Sequence, residues 1–238
     1  ETSTGICQPV EGIGDLCRKY DCLLLLDTVT SLGAVPIYLD EWKVDLAYSC
    51  SQKGLSCPPG LGPFSMGPRA EAKMLARQGK VPNWYLDVSL LNKYWGSDRV
   101  YHHTAPVNMN FGLREALRLL AEEGLEAAWA RHRSNAERLW IGLERLGLEL
   151  HAPQHLRLPT LTTVRIPAGV DGKAFSLHLL NRHGIEVGGG LGALAGKVWR
   201  IGLMGYNSQP ENVDRLLNLF ESELPAFRPG AALAGAAS

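Results

Sequence analysis

Cysteine is scarce and follows no pairing pattern. The five residues Cys7, Cys17, Cys22, Cys50 and Cys57 fall in the first quarter of 238, without a C-x-x-C pair. An odd count at such spacings does not describe a disulfide framework. The thiols are therefore expected to be reduced and the setting intracellular. Excess charge is also missing, since Lys+Arg and Asp+Glu stand at 24 each. That balance argues against the basic surface that nucleic acids or anionic membranes require. No apolar stretch approaches the roughly 20 residues that span a bilayer, and CLLLL at 22–26 is far too short. Internal repeats are absent as well.

Other signatures fail on inspection. His102-His103 lacks a third ligand, and His151 and His155 fall in a Pro-containing stretch. A zinc site needs three or four convergent ligands, so no metal is expected. Gly188-Gly189-Gly190-Leu191-Gly192 followed by Gly196-Lys197 evokes a phosphate loop. Its spacing to Gly-Lys is one residue short, and Val198 stands where Ser or Thr would bind magnesium. No helix is expected to begin there, which removes the dinucleotide fingerprint too; a flexible loop beside Arg200 is the expectation. Cys50 and Cys57 flank Lys53, but nothing nearby activates a thiolate.

What is present is an ordinary globular composition, 45% hydrophobic and 20% charged, long enough for one large domain or two modest ones. These bounds favour a small-molecule partner. A short helix closes at Leu16–Tyr20, and CLLLLD (22–27) follows as a continuous apolar run ending in an acid. Such a run reads as a buried parallel strand. VDLAYS (44–49) is a second, GLGPFSM (60–66) a third, and Pro68–Gln78 a helix with proline at its start. This first part is α/β with a mostly parallel sheet.

Leu113, Leu117 and Leu120 mark a helix over 108–123. A longer amphipathic helix follows Gly124, with Trp129, Ala136, Leu139, Leu143 and Leu146 on one face and Arg133 and Glu137 paired i,i+4 on the other. The order is then strand 148–151, strand 160–166, helix 172–183, strand 185–187, strand 197–203 and helix 210–224. The expected organisation is a large domain over 1–123, a small α+β domain over 124–224, and a disordered Ala/Gly/Pro-rich tail over 225–238. The chain opens on ETSTG, without an initiator Met or targeting sequence, as if cut from something longer. Its final Ala-Ala-Ser does not match a peroxisomal address of the S-K-L type.

Asp27 ends one strand, and Ser-Gln-Lys, with Lys53 before Gly54, lies just past the end of the next. Open α/β sheets bind ligands at the carboxyl ends of their strands. A lysine desolvated there becomes a Schiff-base nucleophile. Pyridoxal phosphate needs such a lysine, together with an acid that keeps its pyridine nitrogen protonated. On spacing alone the plainer readings stay open, with Asp27 as a cap or turn residue and Lys53 as a solvated lysine.

The wider pattern adds to this. ETSTG (1–5), LLLLDTVTSLG (23–33), YSCSQKGLSCPPG (48–60), YHHTAPV (101–107) and GKVWRIGLMG (196–205) together resemble the animal-type alanine–glyoxylate aminotransferases, a group of fold-type I pyridoxal-phosphate enzymes. The resemblance runs from Glu1 to about Leu224. It implies that Lys53 carries the cofactor and moves the substrate proton, and that Asp27 pairs with the pyridinium nitrogen. Thr2 would meet the phenolic oxygen, Val29 would pack beneath the ring, and Gln52 would reach the phosphate. Tyr101 and Thr104 would reach the phosphate in a second copy, which implies a homodimer. Arg200 would grip the substrate α-carboxylate, its planar fork suiting two-point binding.

Read without the resemblance, Tyr101 is a core aromatic and Thr104 a strand or turn residue. Arg200 stays open between substrate binding and the surface, although a cation within VWRIGL is costly if unpaired. The implied reaction moves an amino group from alanine to glyoxylate. Serine–glyoxylate and serine–pyruvate transamination are alternatives, as is a non-catalytic fragment. The resemblance also implies a peroxisomal setting, with cytoplasm or mitochondrion as alternatives. Family members carry a segment before ETSTG that supplies a phosphate loop, a ring-stacking aromatic and an arm around the partner subunit. Residues 1–238 alone are accordingly expected to leave apolar surface on CLLLL uncovered and to be inactive.

Overall fold

The apolar run becomes strand β1 (Leu25–Asp27), which pairs in parallel with β2 (Leu46–Tyr48) so that Asp27 stands opposite Tyr48. A computed structural model describes residues 1–228. Ahead of β1, helix α1 (Ile13–Lys19) ends with Arg18 and Lys19 in its last turn, where cations suit the helix dipole. The third strand, β3 (Phe64–Met66), runs antiparallel to β2. The reason lies in its connection: residues 49–63 form turns and bends, without the helix that normally makes a parallel crossover. Helix α2 (Pro68–Leu75) follows, with Pro68 at its first turn; it stops short of the expected Gln78.

Helix α3 (Val88–Trp95) has no counterpart in the sequence reading. Its apolar residues Val88, Leu91 and Trp95 recur at helical spacing, but the stretch is only eight residues long and none of them is fully buried. Asp87 starts it by accepting the Ser89 N–H at 3.0 Å. Around it Trp84 stacks on His102 at 4.0 Å between ring centres, and Tyr94 meets Tyr101 edge-on.

Gly124, at φ +85°, separates α4 (Val107–Glu123) from α5 (Leu125–Arg145). Three antiparallel strands follow, β4 (Leu161–Arg165), β5 (Gly188–Gly189) and β6 (Val198–Gly202), in the order β4-β6-β5. Helices α6 (Gly172–His183) and α7 (Pro210–Glu223) complete the unit. Its core joins Leu139 and Leu143 of α5, Val164 of β4, Phe175 and Leu179 of α6, Trp199 of β6 and Phe220 of α7. Each such side chain contributes roughly 1.5–3 kcal/mol through burial. Trp199 donates its indole N–H to the Gly172 carbonyl at 2.9 Å, so the largest core ring carries no orphan donor.

Several boundaries differ from the sequence reading. The strand expected at 148–151 is reduced to a bridge between Leu150 and Val164. The one expected at 185–187 moves to Gly188–Gly189, because the Ile185 N–H closes α6 on the Leu179 carbonyl. The region expected to be a flexible loop therefore begins as a two-residue strand paired with β6 and continues through a 3-10 turn at Gly192–Leu194. Past 224, Leu224–Phe227 form a 3-10 turn that packs Phe227 against Phe175 at 5.3 Å. Ordered structure thus extends into the segment read as tail. Residues 229–238 lie outside the described residues.

The first half is far more open than the second. Leu25, in the run read as a buried strand, is 55% exposed, and Trp95 on α3 is 70% exposed. Among the described residues no helix is long and apolar enough to cross a membrane.

A buried histidine anchors the turn at Gly205 to α5. On α5, His132 Nδ1 lies 2.6 Å from the Ala128 carbonyl and Nε2 accepts the Gly205 N–H at 2.8 Å. Nδ1 must then carry the proton, and the ring is neutral. Burial is the main cause that holds its pKa below the ordinary histidine value. In the unfolded chain the ring takes a proton near its ordinary pKa of about 6.5, so stability should fall as pH drops below that value and level off beneath the depressed folded one. Denaturant melts from pH 8 to pH 5 should show this loss, and His132→Gln should flatten it. An unchanged slope in the variant would assign the acid sensitivity elsewhere.

Candidate active site

Asp27 is held by its neighbours rather than left to solvent. Its Oδ1 accepts the Val29 N–H at 2.8 Å, the local turn that aspartate favours, and its Oδ2 accepts the Tyr48 hydroxyl at 2.6 Å. That hydrogen bond raises the Tyr48 pKa, keeping the phenol protonated as a donor. The backbone beneath is pinned as well: Thr28 bonds to the Tyr48 carbonyl through its N–H at 2.9 Å and its hydroxyl at 2.7 Å. The carboxylate is exposed at the strand end yet fixed in direction.

Beside it opens a crevice of about 380 Å³, lined by Thr2, Asp27, Val29, Thr30, Val35 and Trp42 among others. Thr2 and Thr30 share a hydroxyl–hydroxyl bond of 2.5 Å. Arg200 reaches the same region from β6. Its Nε donates to the Gly189 carbonyl at 2.7 Å and its Nη1 to the Thr2 carbonyl at 3.2 Å. Gly188 faces Arg200 across the strand pair, and a Cβ there would sit 3.6 Å from Nη2. That is ordinary contact, and among the described residues Nη2 has no hydrogen-bond partner.

Lys53 follows β2 in a tight loop. The Ser56 N–H returns to the Lys53 carbonyl at 3.0 Å. Gly54 is required by space, since a Cβ there would meet the Leu32 carbonyl oxygen at 2.3 Å. The Ser56 hydroxyl accepts the Tyr206 N–H at 2.6 Å, and Gly205 (φ +60°) leaves no room for a Cβ against that hydroxyl. Through Arg131 and Asn135, α5 grips the Gly205 and Ser208 carbonyls, so the small unit braces the lysine loop. Lys53 is half-buried, as is Arg200. Among the described residues neither has a carboxylate within salt-bridge distance.

The structure therefore brings Thr2, Asp27 and Val29 to one crevice, and Arg200 meets its edge through the Thr2 carbonyl. Lys53 and the exposed Gln52 sit in the neighbouring loop and do not line the crevice. Tyr101 and Thr104 stand apart, joined by a 2.9 Å hydroxyl bond, with Tyr101 71% exposed. Sequence reasoning missed Tyr48, Thr30 and Gly189. Tyr48 was recoverable in principle as the residue ending the second strand, level with Asp27; the other two act through contacts that no local pattern announces.

Comparison with known proteins extends this picture. The family described as Aminotransferase class-V matches residues 1–216. Alanine–glyoxylate aminotransferase of Oryctolagus cuniculus is 48% identical over 94% of this chain and 58% of its own length. A (S)-ureidoglycine–glyoxylate transaminase of Bacillus subtilis is 38% identical, covering 97% and 60%. Among solved structures, an alanine–glyoxylate aminotransferase from Nostoc sp. superimposes with a TM-score of 0.90 at 65% identity, over 93% of this chain and 59% of that one. The chain thus spans somewhat more than half the length of the relatives it matches.

Proposed function

The chain belongs to the class-V aminotransferase family, and from that premise we propose that its protein transfers an amino group from alanine to glyoxylate with pyridoxal phosphate as cofactor. Pyruvate and glycine are the products. One observation carries the reading: two half-buried cations, Lys53 and Arg200, have no carboxylate partner among the described residues, while Asp27 is held rigidly at a strand end. A partly buried charge without a partner is costly unless a ligand supplies one.

The donor set fits the cofactor. Asp27 offers a fixed carboxylate for a pyridinium nitrogen, and Val29 a half-buried apolar floor. Thr2 offers a hydroxyl, Lys53 an amine and Gln52 an exposed amide for the phosphate. When bound, pyridoxal phosphate supplies an electron sink for the charge left by a departing α-proton. The protein's own work is positional and acid–base. Nη2 of Arg200, with the second N–H of Nη1, presents a fork to the substrate α-carboxylate. Lys53 Nζ takes the α-proton and returns it. Tyr48 and the Val29 N–H keep Asp27 aligned.

Homodimerisation belongs to the same reading. The exposure and mutual bonding of Tyr101 and Thr104 are compatible with their serving the phosphate site of a second copy, as the resemblance implies. An intracellular, peroxisomal setting comes from the resemblance alone. Glyoxylate is the acceptor in the names of both the rabbit and the Bacillus relatives, whereas their donors differ. The deciding experiment is a donor screen with glyoxylate held constant. Alanine should give the highest kcat/KM; a tenfold preference for serine or another donor would replace it, and a loaded protein that turned over none would favour the non-catalytic reading.

A further inference from the structure

Away from this site, three side chains converge on the outer edge of the small unit. His178 and His183 lie on α6, and Glu223 is the last residue of α7. His178 Nε2 is 2.9 Å from Glu223 Oε2, and His183 Nε2 is 3.6 Å from Oε1. All three ligand atoms fall within 4.8 Å of one another. We propose that His178, His183 and Glu223 bind one divalent transition-metal ion of the zinc class, clamping the end of α6 to the end of α7.

A tetrahedral zinc with nitrogen and oxygen ligands at about 2.0–2.2 Å places those ligands roughly 3.3–3.5 Å apart. The two observed separations bracket that value, so the side chains need only small rotations to close on an ion. Each imidazole addresses a different carboxylate oxygen, and His183 Nε2 stands beyond hydrogen-bond reach of its own. A simple ion bridge would leave that nitrogen unused, whereas a metal engages both lone pairs.

Nearby charge does not compete. Arg215 directs one guanidinium nitrogen to the His183 carbonyl at 2.7 Å, and among the described residues Glu223 pairs only with the two histidines. Phe227 packs on the His178 ring at 5.2 Å and restricts its orientation. The side chains are a quarter to a third exposed, which leaves a path for the ion and a fourth position for water. Histidine and carboxylate suit zinc, nickel or copper rather than magnesium. The site is remote in sequence from Lys53 and Asp27, so the proposal stands whether or not the transamination reading does.

The test is metal uptake by the cofactor-loaded protein, stripped with chelator and then dialysed against Zn²⁺, with Co²⁺ as a spectroscopic probe. Wild type should bind one more equivalent than His178→Ala or His183→Ala, and Co²⁺ should give the visible bands of a nitrogen–oxygen tetrahedral centre. Glu223→Gln should weaken binding at least tenfold. His183→Gln, with near-UV circular dichroism matching wild type, guards against loss through unfolding. Uptake should also fall in acid, where protons compete for the ligands. The idea is overturned if stoichiometry and spectrum are the same in every variant, or if the Co²⁺ bands are of the thiolate type and so belong to the cysteines.

Discussion

Lys53→Ala is expected to abolish useful turnover while leaving cofactor affinity partly intact. Losing a positioned general base alone costs about 10²–10⁴-fold, and on the proposed function the same amine also forms the link to the cofactor. The loss should therefore reach or exceed the upper end of that range. Cofactor should remain, because Asp27, Thr2, Val29 and Gln52 are untouched. Borohydride reduction of the loaded wild-type protein, followed by peptide mapping, should find pyridoxal phosphate on Lys53. A label on another lysine would remove the assignment. The loop around Lys53 makes the variant interpretable: Gly54, Ser56 and Gly205 set its path through backbone and hydroxyl contacts, none of which involves the lysine side chain. A drop in activity with an unchanged melting temperature would thus report chemistry rather than folding.

The parts legible in the sequence share a physical trait: they are local. Asp27 at the end of an apolar run, Lys53 past the next run and proline at the start of α2 are each written within a few residues. The helices over 172–183 and 210–224 were legible for the same reason, since leucine and phenylalanine recur there at helical spacing. Helix α3 was not, because its eight residues carry only a short stripe and bury none of it fully. The direction of β3 was hidden too, since it depends on a connection without a helix.

Links of long range were the least visible. The Arg200–Thr2 contact joins residues 198 apart, and the Thr160–Thr30 bond, at 2.7 Å, joins residues 130 apart. Such contacts are consequences of the fold rather than of any motif. His132 illustrates the limit well. In the sequence it is one polar residue on a helix; in the fold it is buried and accepts a backbone N–H from a turn braced against the lysine loop.

Arg200→Lys should be the most informative substitution on the substrate side. Lysine keeps the positive charge but presents a point donor on a flexible stem, and cannot offer two parallel N–H bonds to one carboxylate. In the present geometry Arg200 does three things at once. Nε holds the Gly189 carbonyl, Nη1 holds the Thr2 carbonyl, and Nη2 remains for the ligand. A lysine at 200 would have to choose among them. The expected cost is about 2–4 kcal/mol of transition-state binding, the range for charge-assisted contacts, or roughly 30- to 1,000-fold in kcat/KM. The loss should fall mainly on the apparent affinity for alanine and glyoxylate, with cofactor binding changed much less, because Arg200 touches Thr2 through its backbone and leaves the hydroxyl to Thr30. Steady-state kinetics on both substrates, beside a cofactor titration, separates the two effects. Unchanged substrate affinity with a lowered melting temperature would make Arg200 a strut between β6 and the first residues of the chain, and the substrate carboxylate would need another partner.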